Sequence, residues 1–277
     1  MADVVPAADG IYAGISDEVY HGDHSSLSSS GARKILATTP ARFRWEQLNG
    51  RPPTKAFDVG HAFHTETLGT GPGIVVPHDP KAKNPHAWQT DEAKRQVAEA
   101  RAAGQVPLKP DEAAAVRSMV EAVRTHPLAG RLFASGAPEQ SIWWTDPATG
   151  ARLRCRPDWL TEVLGEPVVV DLKSTEDASP QAWRKTAANY GYHVQDPYYR
   201  DGLEAIGLGP ADFVFVLVEK SPPYLVATYR LTAEDVALGR ARARRGIDLY
   251  ARCLESGEWP GYALDFVEIP LPAWTAA

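Results

Sequence analysis

The chain has 277 residues, 44% of them hydrophobic and 23% charged, with a formal net charge of −6. That composition belongs to a folded globular protein and argues against disorder, and the length suits one large domain or two small ones. It excludes a protein coated in positive charge, but not a local basic groove, because nucleic-acid binding follows the distribution of charge more than its total. No run approaches the ~20 apolar residues of a membrane span, and the opening MADVVPAADGIYAG lacks the basic-then-apolar pattern of a secretory signal. Cys155 and Cys253 have no zinc or iron–sulfur spacing and are expected to be packed thiols in a reducing cytosol.

In chain order, residues 1–24 are expected to be extended and irregular. Ser28, Ser29 and Ser30 offer caps for a helix from Gly31 to Ala37. Pro40 suits the first turn of a second helix, Ala41 to Gln47, ended by Asn49-Gly50. Its Arg42 and Arg44 read as a solvated face in preference to a DNA-facing patch. Thr54 to Leu68 is predicted helical with Gly69 as its C-terminal cap. Gly60 and His64 share a face of that helix, and a glycine inside a helix marks close packing. His61 and His64 could also pair around zinc, but no third soft ligand has suitable spacing. A short strand near Ile74 to Val76 and a polar loop from Lys81 to Trp88 follow. Scaffold helices are expected from Thr90 to Ala103 and from Asp111 to Thr125.

Ser141 to Thr175 carries the most information. It predicts three strands: Ser141 to Thr145, Arg152 to Leu160 and Val168 to Lys173. Side chains alternate along a strand, so Val169, Asp171 and Lys173 share one face, and Arg154, Arg156 and Asp158 share a face of the neighbouring strand. An antiparallel hairpin centred on Leu164-Gly165 sets Asp158 opposite Asp171. Directly opposed side chains stand ~4.5–5.5 Å apart, and carboxylates that close repel unless a cation lies between them. A divalent metal is the usual reason, and oxygen ligands suit Mg²⁺ or Mn²⁺. Lys173 on the same face stands where it can polarise a water or steady charge on a phosphoryl oxygen. Arg154 and Arg156 are candidates for phosphate contacts. A solvated hairpin fits the same residues, and a one-residue slip would separate the pair. Glu139, just before the first strand, fits a surface residue at a strand start.

Beyond Lys173, a helix is expected from Pro180 to Ala188. Gln195 and Tyr199 are four apart, on one helical face, but Pro197 between them means that the helix either starts near Asp196 or kinks. Asp212 to Glu219 and Tyr224 to Leu231 predict a hairpin around Ser221-Pro222-Pro223. Thr232 caps a long helix that stops at Gly257, with Arg240, Arg242, Arg244 and Arg245 read as a solvated basic face. The tail has a strand pattern over Asp265 to Ile269.

Gly60-x-x-x-His64, Pro157-Asp158, Asp171-Leu172-Lys173 and Gln195-x-x-x-Tyr199 together resemble the ordered signature of the PD-(D/E)xK nuclease superfamily. With the opening IYAGISDEVYHGDHSSLSSSGARKILATTPARF, the chain looks like a RecE-like (exonuclease VIII-like) exonuclease of bacteria and phages, related more distantly to lambda exonuclease and to RecB nuclease domains. The resemblance implies an α/β fold, a mixed central β-sheet flanked by helices, with an N-terminal helical elaboration. One domain, 1–277, would comprise an N-terminal segment (1–53), a catalytic core (54–231) and a C-terminal helix and tail (232–277). It implies Mg²⁺-dependent hydrolysis, with Mn²⁺ as substitute, from the ends of linear double-stranded DNA, 5′ to 3′, in recombination. His64, Asp158, Asp171 and the Leu172 carbonyl would hold metal, with Glu139 as a possible helper. Lys173 would orient or help deprotonate the attacking water, and Gln195 and Tyr199 would position the strand. A single-strand annealing protein, a ring-shaped homo-oligomer and a cytoplasmic location are implied by the family alone. The alternatives are an endonuclease or repair nuclease on the same fold, a catalytically silent DNA-binding subunit, and a zinc hydrolase built on His61 and His64.

Overall fold

Apolar strands build three sheets, one of them only the two-stranded pair of Ile74–Val75 with Val106–Pro107, and capped amphipathic segments build the helices around them. The computed structural model describes residues 4–50, 58–84 and 86–271. The N-terminal stretch is more regular than expected. It forms strand β1 (Gly10–Tyr12) and helix α1 (Asp17–Gly22), capped by the Ser16 hydroxyl, which accepts from the Val19 amide. Strand β2 (Leu27–Ser28) leads into α2 (Ser29–Ala37), capped by Ser28, and α3 (Pro40–Asn49) follows, capped by Thr39. Helix α4 (Asp58–Leu68) closes at Gly69, whose φ of 70° favours glycine. The start expected for this helix, Thr54 to Phe57, lies outside the described residues.

Strand β3 (Ile74–Val75), α5 (Asp91–Ala102), β4 (Val106–Pro107), α6 (Pro110–Thr125) and α7 (Ala129–Leu132) form the scaffold before the central unit. Then come β5 (Ala137–Pro138), β6 (Ser141–Thr145), β7 (Arg152–Cys155), β8 (Trp159–Val163) and β9 (Glu166–Thr175). Helices α8 (Pro180–Tyr190) and α9 (Tyr192–Ala205), strands β10 (Asp212–Glu219) and β11 (Val226–Tyr229), and the long α10 (Ala233–Ser256) complete the order.

A five-stranded sheet runs β11-β10-β9-β8-β5, and a four-stranded one runs β1-β6-β7-β2. In the larger sheet β9 and β10 are parallel and the other pairs antiparallel, so the sheet is mixed. One expectation needs correction here. Arg152 to Leu160 is not one strand. The chain leaves the smaller sheet after Cys155 and enters the larger one at Trp159. Pro157 sits at the break, and a residue without an amide proton cannot continue a central ladder.

The two faces of the larger sheet are covered differently. Val168, Val170 and Leu172 of β9 and Val214, Val216 and Val218 of β10 pack with Phe63, Met119 and Val123 of α4 and α6. Each such buried side chain contributes roughly 1.5–3 kcal/mol. Val169, Phe213, Phe215 and Leu217 face the other way, towards Trp183, Val194 and Tyr198 of α8 and α9. Helices on both faces of a mixed sheet are the architecture expected from the sequence. Cys155 and Cys253 are free and buried, as anticipated.

A buried polar knot fastens the N-terminal segment to the smaller sheet. Asp23 accepts from the Ser25 amide (2.8 Å), the Ser25 hydroxyl (2.6 Å), the Ser26 hydroxyl and Trp143 Nε1 (2.9 Å). Burial alone would raise its pKa, but the hydrogen bonds from Ser25, Ser26 and Trp143 outweigh it and bring it down to about 2. At the other end, Asp265 to Ile269 joins no sheet. Trp259 stacks on Phe43, ring centroids 6.1 Å apart, and the chain beyond it is exposed at Tyr262, Leu264 and Phe266. On α10, Arg240 pairs with Asp201, and Arg244 with Asp146 and Asp248, so part of the expected solvated basic face is engaged. Among the described residues, no helix is long and apolar enough to cross a membrane.

Candidate active site

The site is built on the β8–β9 hairpin. Leu164 and Gly165 form its two-residue turn with φ of 56° and 86°, the left-handed pair that matches strand twist. The ladder pairs Trp159 with Val170 and Leu160 with Val169. One step beyond it, Asp158 lies across from Asp171, as the sequence register requires. Since β8 begins only at Trp159, Asp158 bridges the gap with its side chain: Oδ2 accepts from the Leu172 amide at 2.7 Å. The N–H and C=O of one strand residue project to the same edge, so the Leu172 carbonyl faces this gap too.

Asp171 is 2% exposed. Gln195 Nε2 donates to its Oδ1 at 2.7 Å, and Lys173 Nζ stands 2.5 Å from its Oδ2. That second oxygen is buried without an aligned hydrogen bond. Burial raises the Asp171 pKa, the Lys173 ammonium opposes the rise, and the Asp158 charge adds to it; the net direction is up. For Lys173, burial works against the ammonium, but Asp171 and Asp158 prevail and hold its pKa above the usual range. Its Nζ also lies 5.2 Å from the ring centroid of Tyr192.

Helix α4 brings His64 in from the side, Nδ1 3.8 Å from Asp158 Oδ2. Gly60, one turn earlier, lies against β9: a Cβ there would come within 3.9 Å of Ser174 Oγ. Glu139 lies beside Asp158, its amide donating to the Asp158 carbonyl at 3.0 Å. It has φ 44°, and burial, followed by the Asp17 charge, raises its carboxyl pKa.

Helix α9 resolves the question that Pro197 posed. It begins at Tyr192, so the proline lies inside it. The amide missing at Pro197 leaves the His193 carbonyl without its helical partner, a loss that costs ~3 kcal/mol in an isolated helix. Here α10 fills the gap: a Cβ on Gly239 would land on the His193 carbonyl oxygen. Gln195 and Tyr199 therefore do face one way. Tyr199 packs edge-on to Phe213 at 5.9 Å, and burial pushes its phenol pKa well up.

Arg154 and Arg156 are placed differently from their expected position on one strand face with Asp158. Both guanidinium groups are engaged by the N-terminal segment. Arg154 donates to the Ser26 carbonyl and hydroxyl at 2.5 and 2.8 Å. Arg156 donates to Asp17 (2.6 Å), the Ile15 carbonyl (3.0 Å) and Ser141 (2.8 Å), its guanidinium 4.0 Å from the Tyr20 ring centroid. Both still line a cavity of about 580 Å³ that brings together His64, Glu139, Asp158, Lys173, Gln195 and Tyr199. Two further residues line that cavity and were missed from sequence. Tyr192 had only its proximity to Gln195 to mark it. Arg33 stood in an ordinary helix, yet its Nε is buried without a hydrogen bond.

The donor types fit a hard divalent cation: two opposed carboxylates, a main-chain carbonyl and an imidazole around a buried, under-bonded Asp171 oxygen. Among the described residues, no three His, Cys, Asp or Glu side chains already converge on one point. Lys173 is the group that neutralises Asp171 here.

Comparison with known proteins agrees with this architecture. The family described as "PDDEXK-like domain of unknown function (DUF3799)" matches residues 28–266, and the chain belongs to that family. Among solved structures, it is similar to a Eubacterium rectale protein that carries a provisional name of exonuclease. The TM-score is 0.62 at 14% identity, covering 96% of this chain and 98% of that one, which is a likeness of fold. A weaker likeness, too slight to weigh, is to a phage-related exonuclease of Haemophilus somnus 129PT: TM-score 0.34, 12% identity, 85% of this chain and 98% of that one. No curated protein matches significantly.

Proposed function

We propose that this PDDEXK-like protein is a metal-dependent nuclease that degrades linear double-stranded DNA from its ends, 5′ to 3′, as RecE-like exonucleases do. The observation that carries the reading is Asp171: a buried carboxylate with a raised pKa, set opposite Asp158 and held between Gln195 and Lys173. The family and the fold support the nuclease class.

His64, Asp158, Asp171 and the Leu172 carbonyl would hold Mg²⁺, with Mn²⁺ as substitute and Glu139 at the rim. Once bound, such an ion lowers the pKa of a water and offsets charge on the phosphate. Gln195 fixes the orientation of the Asp171 carboxylate. The Lys173 ammonium supplies a positive donor beside it, suited to orienting a water or a non-bridging phosphoryl oxygen. Tyr199 closes the wall behind Gln195. A role in recombination, with a single-strand annealing protein and a ring of like subunits, belongs to the same reading.

The test is digestion of end-labelled linear and closed-circular double-stranded DNA with Mg²⁺, Mn²⁺, Zn²⁺ or EDTA, comparing wild type with Lys173→Ala. Mg²⁺- or Mn²⁺-dependent loss of linear DNA alone, abolished in the variant, is the expected result, and the label reads polarity. Cutting of circles would point to an endonuclease, activity only with Zn²⁺ to a different hydrolase, and binding without hydrolysis in any metal to a silent subunit.

A further inference from the structure

A second cavity, about 710 Å³, adjoins the catalytic one, and His21, Ser28, Ser30, Arg33 and Arg154 line both. Tyr190, the last residue of α8, stands in its wall and is 63% exposed. The left-handed Gly191 (φ 68°, ψ 35°) ends α8 and turns the chain into α9. A side chain at Gly191 would meet Arg33 Cδ at 2.7 Å, so the turn and Arg33 are fitted to each other.

The turn stacks Tyr190 on Tyr192, with centroids 5.8 Å apart and planes at 19°. Tyr192 stacks on Trp183 (5.3 Å, 20°), and Trp183 on Tyr229 (6.1 Å, 12°). A ladder of near-parallel rings thus runs outward from Trp183, which is 4% exposed, past the catalytic cavity at Tyr192, and ends at Tyr190 in the second cavity. Its inner rings are stacked against aromatic neighbours, whereas the terminal ring stays open to solvent. Arg33 and Arg242 line the same cavity, and among the described residues neither makes an ion pair. An open π-face on a rigid stack, flanked by guanidinium groups, is the combination that holds single-stranded nucleic acid without regard to sequence.

We infer that Tyr190 is a stacking platform for an unpaired nucleobase, holding the strand next to the catalytic cavity in single-stranded form. The inference rests on the nuclease reading and adds a subsite to it. It assigns Tyr190 a part in binding, with no contact to the reacting atoms.

The test is fluorescence polarisation in EDTA with two labelled ten-nucleotide single strands, one bearing bases and one abasic throughout, on the full chain. Wild type should prefer the strand with bases by about tenfold, the scale of one stacked base. Tyr190→Ala should lose that preference while binding the abasic strand as wild type does, and Tyr190→Phe, which keeps the ring, should retain it. Thermal melting of both variants controls for folding, and an exposed position predicts little change. If Tyr190→Ala keeps the wild-type preference, or wild type binds both strands equally, the platform is overturned and the nuclease reading stands. If wild type binds neither strand and also digests no DNA, both fall.

Discussion

Two aspartates, equally buried, behave in opposite ways. Asp23 is 3% exposed and Asp171 is 2% exposed, and each has a cation at hand, Arg154 in one case and Lys173 in the other. Asp23 collects hydrogen bonds from two serines and a tryptophan, and its pKa falls to about 2. Asp171 accepts one, from Gln195, keeps an under-bonded oxygen, and its pKa rises. Neutral donors hold the Asp23 carboxylate ionised, whereas at Asp171 burial and the Asp158 charge outweigh the Lys173 ammonium and the single Gln195 bond.

The largest effect that would test the contrast is at Asp171. Asp171→Asn should lower DNA hydrolysis by roughly 10³-fold or more. It should also lower thermal stability, because Asn leaves the Lys173 ammonium without the carboxylate that neutralises it. Hydrolysis retained at the wild-type rate would erase the distinction.

Asp23→Ala should cost stability alone, a loss of roughly 3 kcal/mol in denaturant unfolding, with activity per folded molecule retained. Its pH dependence carries a definite sign. A carboxylate whose folded pKa lies near 2, below its ordinary 3.8, stabilises the fold above the ordinary value and loses that contribution as pH falls through the folded one. The contribution is about 2 kcal/mol. The stability of wild type should therefore fall between about pH 4 and pH 2, and Asp23→Ala should flatten that limb. An unchanged limb would show that Asp23 is not the group titrating there.

Gln195→Ala is the smallest step. It removes the donor to Asp171 and should slow hydrolysis by about tenfold, with a stability change of about 1 kcal/mol, read by kcat and by melting. A loss of binding with kcat intact would reassign Gln195 from orienting Asp171 to contacting the strand.

Local features of the fold were legible because they depend on local chemistry. Capping by Ser28, Thr90 and Thr232, the stop at Gly69 and the strand Asp212–Glu219 all follow from turn and cap residues or from β patterning. The register of Asp158 against Asp171 was legible because the Leu164-Gly165 turn fixes it. What escaped was set by long-range pairing. Pro157 marks the end of a strand, but nothing local announces that the chain enters a second sheet beyond it, so the N-terminal partners of Arg154 and Arg156 were not legible, although both line the cavity with Asp158. Asp23 finds its saturating partner Trp143 far along the sequence. Asp265 to Ile269 has a strand's alternation but no neighbouring strand to pair with. The tyrosine ladder is assembled from α8, α9 and β11, and no single segment displays it.

Pro197 and Gly239 carry a consequence for how this protein can evolve. Helix α9 gives up one rung of its own ladder, and the backbone of α10 presses into that place. The rotational phase of α9, and with it the aim of Gln195, is thereby gauged from outside by a residue with no side chain and no chemistry. Position 239 should tolerate replacement as poorly as the carboxylates do, for a mechanical reason. Any insertion or deletion in α10 upstream of Gly239 would mistune a site that the altered segment never touches.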